Sequence, residues 1–156
     1  RADLFQNAVC VLTPTRKSNA AAVRKLEQFW KSLGARVLKL PPEQHDLFVS
    51  RTSHLPHVVA ATLANLVLNP KTQSQLCASG FRDTTRIASG SPEMWRDIAL
   101  SNRKNLARSL DAFIAELQIF QRKLKSADAK AISKFFETAK SRRDNWHAKT
   151  NSISSE

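Results

Sequence analysis

Two kinds of apolar patterning divide this chain. Near its start, Ala8-Val9-Cys10-Val11-Leu12 is an unbroken apolar run that ends at Thr13-Pro14, the pattern of a buried strand. Apolar residues then recur at helical spacing: Ala22, Val23, Leu26, Phe29, Trp30 and Leu33. Ser18 or Asn19 can cap that helix, and Gly34 terminates it. A second strand pattern, residues 35–40, is closed by Pro41-Pro42. Strand, helix, strand in this order makes the two strands parallel. Two strands do not form a stable sheet by themselves, so they are expected to join a larger sheet whose other strands lie upstream of Arg1.

From Pro42 onward the pattern is helical. Pro42 suits the first turn of a long helix that runs to about Leu68 and stops at Asn69-Pro70. Pro56 falls inside it, removes a backbone hydrogen bond and predicts a kink over residues 53–57. A short helix is expected near 71–79, ending at Gly80, then a turn-rich stretch with a short helix from Phe81 to Ala88. Ser91-Pro92 marks the start of another long helix. Its later apolar positions, Leu106, Leu110, Phe113, Leu117, Phe120 and Leu124, step by four and three like a heptad seam. The seam suits either a neighbouring helix or, the reading preferred here, a subunit interface. Ser126 can cap a last helix carrying Ile132, Phe135, Phe136, Ala139 and Trp146, with a frayed polar tail after Thr150. The fold class expected is mainly α, preceded by a β-α-β unit.

Composition narrows the chemistry. The 156 residues carry a formal charge of +12. That suits a solvated basic surface, attraction of an anionic substrate, or phosphate contacts to nucleic acid. No helix-turn-helix, zinc-finger or aromatic RNA-binding signature accompanies the charge, so nucleic acid is not the expected partner. No run reaches the roughly 20 apolar residues of a membrane span, and the start lacks a signal-peptide pattern. Cys10 and Cys77 lack metal-ligand spacing and read as reduced, buried hydrophobes of a cytoplasmic protein. Only three glycines occur, Gly34, Gly80 and Gly90. A dinucleotide fingerprint or phosphate loop needs clustered glycines, so neither exists here.

Three polar clusters interrupt the apolar scaffold: Ser53-His54-Leu55-Pro56-His57, Gly80-Phe81-Arg82-Asp83-Thr84-Thr85-Arg86-Ile87-Ala88 and Pro92-Glu93-Met94-Trp95-Arg96-Asp97. His54 and His57 share a helix face. A metal is not expected, because no H-E-x-x-H pattern or cysteine pair accompanies them; they are either core histidines or site residues. Arg86 offers a planar guanidinium that can grip a carboxylate through two hydrogen bonds, or a structural salt bridge to Asp83 or Asp97. Trp95 is a core anchor or a pocket wall. Gly80 allows close backbone approach, and Asp97 and Asn102 are candidates for supporting roles.

In motif, order and spacing, residues 3 to 125 resemble the prephenate/arogenate dehydrogenases. The resemblance implies the C-terminal portion of such an enzyme. Residues 1–41 would be the last β-α-β piece of a dinucleotide-binding (Rossmann-like) sheet, and 42–156 a helical substrate-binding and dimerisation domain. It implies substrate-binding roles for Ser53, His57, Arg86, Trp95 and Gly80. His54 would support the pocket wall, and Asp83 would orient Arg86. The substrate would be prephenate or arogenate, oxidised and decarboxylated with NAD or NADP on the way to tyrosine, which is itself a candidate inhibitor. The partner expected is a second copy, in a homodimer through the long helices. The family's catalytic histidine and glycine fingerprint lie in the nucleotide-binding half and have no match here. The chain by itself is therefore expected to be inactive. A tyrosine-sensing or aromatic-acid-binding module is the rival reading.

Overall fold

The computed structural model describes residues 3–68 and 74–153, with side chains described through Trp146. Strand β1 (Val9–Leu12) and strand β2 (Arg36–Lys39) pair in parallel, Val9 opposite Arg36 and Leu12 opposite Lys39. Helix α1 (Ala20–Ser32) connects them. Asn19 is its cap, since its Oδ1 accepts from the backbone N–H of Ala21 and Ala22 at 2.9 and 3.0 Å. Ser18 instead accepts from the Thr15 N–H. Gly34 ends the unit with φ +82°, and a Cβ there would lie 2.0 Å from Gln6 Oε1, so backbone angle and space both require glycine. Glu27 accepts from Lys31 and from Lys39, tying α1 to β2. Its carboxyl is held at about 2 by those two hydrogen bonds, Lys39 first. Val9, Leu26, Phe29 and Leu38 all remain exposed.

Helix α2 (Pro42–Val49), a π-helical turn (Ser50–His54) and helix α3 (Leu55–Leu68) occupy the stretch read as one kinked helix. The π turn replaces the expected kink. The Leu55 N–H donates to the Ser50 carbonyl, five residues back. Pro56 has no N–H for the ordinary i−4 ladder, and a widened turn just ahead of it takes up the mismatch without a break. The expected stop at Asn69-Pro70 and the first part of the helix read over 71–79 lie outside the described residues. Gly80 does not end a helix: it stands in the first turn of α4 (Ser79–Thr85), which a 3₁₀ turn (Arg86–Ser89) follows.

The long helix expected from Pro92 is two helices, α5 (Pro92–Ser101) and α6 (Arg103–Lys125). Ser91 caps α5 through the Met94 N–H. Asn102 leaves helical geometry at φ −109°, ψ 26°, because its side chain is committed to the interior, as described below. Helix α7 (Ala129–Ile153) doubles back along α6. Its cap is not Ser126, whose hydroxyl bonds the Lys123 carbonyl at the end of α6. Asp128 Oδ1 caps α7 by accepting from the Ala131 N–H at 2.9 Å. The helix continues past Thr150 to Ile153, where a frayed tail was expected.

Packing splits the heptad seam. Leu106 is buried, and Phe120 packs on Phe135 and Phe136 of α7, with ring centroids 4.8 and 5.7 Å apart. Leu117 and Leu124 stay exposed, joined by Ile114. The apolar core is small, with Ala35, Ala60 and Leu106 buried. Polar groups fill the centre beside it: Ser50, Asn102 and Ser109 are buried, and no buried side-chain polar atom lacks a partner among the described residues. Cys10 and Cys77 are unbridged and only half-buried, not core residues. Among the described residues no helix is long and apolar enough to cross a membrane.

Candidate active site

A cleft of about 450 Å³ opens between α3, the 3₁₀ turn and α5. Its walls are largely apolar: Val58 and Ala61 from α3, Ile87 and Ala88 from the 3₁₀ turn, Ile98 from α5 and Leu106 from α6. Four polar or aromatic groups converge on it, His54, His57, Asn65 and Trp95. Apolar walls with a few placed polar groups are the usual make-up of a small-molecule site.

The aromatic centre is built tightly. His57 and Trp95 stack with centroids 3.6 Å apart and 26° between planes, and His54 meets Trp95 edge-on at 6.3 Å. Gly90 lies against the Nε1–Cδ1 edge of the indole. A Cβ there would fall 2.5 Å from Trp95 Nε1, so the tryptophan's position depends on a missing side chain. Spacing from α3 puts His54 and His57 on one face, and the Ser91 cap starts α5 so that Trp95 reaches them.

Hydrogen bonds fix both imidazoles. His57 Nδ1 lies 2.9 Å from the Ser53 carbonyl. A carbonyl only accepts, so Nδ1 carries the proton and Nε2 keeps a lone pair in the neutral ring. His54 Nδ1 lies 3.3 Å from the Asn102 amide nitrogen, which also donates to the Asp46 carbonyl at 2.7 Å. Burial lowers the pKa of His54; Asp46 opposes that, while His45 and His57 add to it. His54 is therefore uncharged at neutral pH. Behind the π turn, Ser50 and Ser109 hydroxyls meet at 2.9 Å, and they also reach the Leu47 and Asn105 carbonyls. This polar knot anchors the π turn to α6.

The residues singled out from the sequence fall into two groups. His54, His57 and Trp95 are brought together in the cleft. Ser53 sits behind it, half-buried, its carbonyl taken by His57. Arg86 is exposed at the head of the 3₁₀ turn whose next residues, Ile87 and Ala88, line the cleft. Among the described residues it forms no ion pair with Asp83 or with Asp97, which pairs with Arg96 on the surface. Asp83 is also exposed, one turn before Arg86. Gly80 is not among the residues that line the cleft, and a Cβ on it would meet no protein atom within 4 Å. No group of three metal-ligating side chains occurs among the described residues. Gly90, Ser50 and Ser109 escaped the sequence reading. Gly90 reads only as a turn residue between Ser89 and Ser91, and serines inside a helical pattern carry no signal of burial.

Comparison with known proteins bears on both halves of the chain. Residues 41–139 match the family model described as prephenate dehydrogenase, dimerization domain, and residues 1–39 match that of the prephenate dehydrogenase nucleotide-binding domain. A prephenate dehydrogenase of Bacillus subtilis is 39% identical over 145 residues, covering 90% of this chain and 39% of the relative. A cyclohexadienyl dehydrogenase of Zymomonas mobilis is 34% identical, covering 91% of this chain and 50% of the relative. The chain thus spans half or less of these relatives. The crystal structure of the A. aeolicus prephenate dehydrogenase, solved with hydroxyphenyl propionate and NAD+, superposes with a TM-score of 0.85 at 28% identity, covering 92% of this chain and 51% of that one.

Proposed function

The chain belongs to the prephenate dehydrogenase family, and on that premise we propose that it supplies the substrate pocket and the dimer contacts of an oxidoreductase acting on prephenate or arogenate in tyrosine formation. The observation that carries this reading is the cleft itself. It is apolar, floored by a stacked His57–Trp95 pair and bordered by the turn that Arg86 begins. A cyclohexadiene ring suits the apolar walls and the aromatic face. His57 Nε2, His54 and Asn65 are the polar groups available to orient its substituents. Arg86, free of ion pairs among the described residues and next to the lining, is the group for a carboxylate. Ser53, Gly80 and Asp83 are not among the lining residues, so their contribution would be to the backbone and rim around these groups.

A nicotinamide cofactor, NAD or NADP, supplies the hydride acceptor in such an enzyme. The residues of this chain do not build a site for its pyrophosphate, since the three glycines stand singly at 34, 80 and 90. The chain's own residues bind, orient and exclude water, which is the contribution a protein makes when aromatisation of the ring drives the reaction. Residues 1–41 would close the cofactor domain and 42–156 carry substrate and dimer contacts; without the rest of that domain the stretch would be inactive. Tyrosine, with a ring of the same size, would compete for the same cleft. The net charge of +12 draws a dianionic substrate toward it.

The test is Arg86→Ala in the intact enzyme. Loss of a carboxylate contact at an exposed rim raises KM on the order of tenfold, about 1.4 kcal/mol, with a smaller change in kcat. An unchanged KM removes Arg86 from the site.

A further inference from the structure

The best-determined polar group near the cleft is not one of its lining residues. Asn102 sits at the junction of α5 and α6 and is 7% exposed. Every polar atom of its side chain is engaged. Its Oδ1 accepts from Asn105 Nδ2 at 2.9 Å, and its Nδ2 reaches both the Asp46 carbonyl at 2.7 Å and His54 Nδ1 at 3.3 Å. The orientation of the amide follows from its partners. The Asp46 carbonyl can only accept, so the NH₂ must face it. The second hydrogen of that NH₂ then points at His54 Nδ1, which can receive it only while unprotonated. A neutral His54 must in consequence carry its proton on Nε2, the ring nitrogen left for the cleft.

We propose that Asn102 is a positioning residue that holds His54 as an uncharged imidazole with its proton on Nε2, so that the cleft receives a hydrogen-bond donor there. His57 is fixed the opposite way by the Ser53 carbonyl. The two imidazoles then present one donor and one acceptor beside the same indole, and neither role is set by a residue that lines the cleft. The groups facing His54 are consistent with this. Asp46 and His45 come from α2, His57 from α3 and Trp95 from α5. Asp46 is the one carboxylate among them, and its Oδ1 is engaged by His45 at 3.0 Å. The proposal rests on the substrate reading only in taking the cleft as the binding site; the proton's location can be tested without any substrate.

The first experiment is nitrogen NMR of the histidine rings in the chain as it stands. The expected result is His54 with protonated Nε2 and bare Nδ1 at neutral pH, persisting below the pH at which an ordinary histidine takes up its second proton. A proton on Nδ1, or titration at the ordinary value, overturns the proposal, whether or not the cleft binds prephenate. The second is Asn102→Asp, which exchanges the donor for an acceptor at nearly constant shape. The proton is expected to move to Nδ1 and the His54 titration to rise by about one unit or more. In the intact enzyme the acid limb of kcat/KM should rise with it. A variant that is merely destabilised, with tautomer and acid limb unmoved, also overturns the proposal. If Asn102→Asp does not fold, the unmodified chain's tautomer decides. If that tautomer is as expected but prephenate does not bind the intact enzyme, the substrate reading fails while the role of Asn102 stands.

Discussion

Gly90 and His54 decide most of what happens at the scale of single residues. With Gly90→Ala, the new Cβ would sit 2.5 Å from Trp95 Nε1, closer than atoms pack, so the indole must move off the His57 ring. The expected outcome is a several-fold rise in substrate KM together with a loss of about 1–3 kcal/mol, as for other overpacked sites. Steady-state kinetics and thermal unfolding of the same variant check both. For His54, the folded state holds the pKa below the ordinary 6.5, mainly by burial. Above that pH both folded and unfolded chains carry a neutral ring and the group is indifferent. As pH falls through 6.5, the unfolded chain takes up a proton that the folded one refuses, so stability declines until the folded pKa is reached. Denaturant unfolding at stepped pH should show this decline, and His54→Gln should reduce it.

The π turn at Ser50–His54 is the informative feature among the elements. It lies between Val49, the end of α2, and Leu55, the start of α3, and it carries His54. Pro56 explains why the ladder is disturbed, and the Ser50–Ser109 knot explains why the disturbance is held in one place. Ser50→Ala removes the hydroxyl–hydroxyl bond while Ser109 keeps the Asn105 carbonyl, and should cost about 1 kcal/mol. Removing both hydroxyls takes away donor and acceptor together. The double variant is therefore expected to lose less than the sum of the singles, a non-additivity that a double-mutant cycle by urea unfolding would measure. Legibility differs by element. The β-α-β unit follows from strand runs and a glycine stop, both local signals. The break at Asn102 does not, because the asparagine leaves the helix only to reach Asp46 and His54, 56 and 48 positions away.

At the scale of the whole molecule, large apolar side chains lie open along α6. Ile114, Leu117 and Leu124 are 48%, 52% and 59% exposed, within the segment that matches the dimerization-domain model. A second copy laid along this face would bury them. Leu117→Lys places a charge in that contact and should convert a dimer to monomers, with sedimentation velocity at micromolar concentration as the check. A monomer before substitution would refute the dimer outright. The exposed apolar residues of α1, β1 and β2 lie in the segment that matches the nucleotide-binding model, and further strands of such a domain would cover them.

The sequence by itself determined the mainly helical class, the parallel β-α-β start, several helix ends and the family. Those rest on periodicity, caps, prolines and short motifs, all of which act over a few residues. It also singled out His54, His57 and Trp95, which the structure brings into one cleft. Only the tertiary structure decided that Trp95 stacks on His57 against Gly90, that Asn102 rather than Asp83 or Asp97 makes the interior hydrogen bonds, and that Arg86 is exposed beside the lining residue Ile87 with no ion pair among the described residues. The physical reason is range. A hydrogen bond between Ser50 and Ser109 closes 59 positions of chain, and no local preference of either serine carries information about the other until packing brings α6 under the π turn.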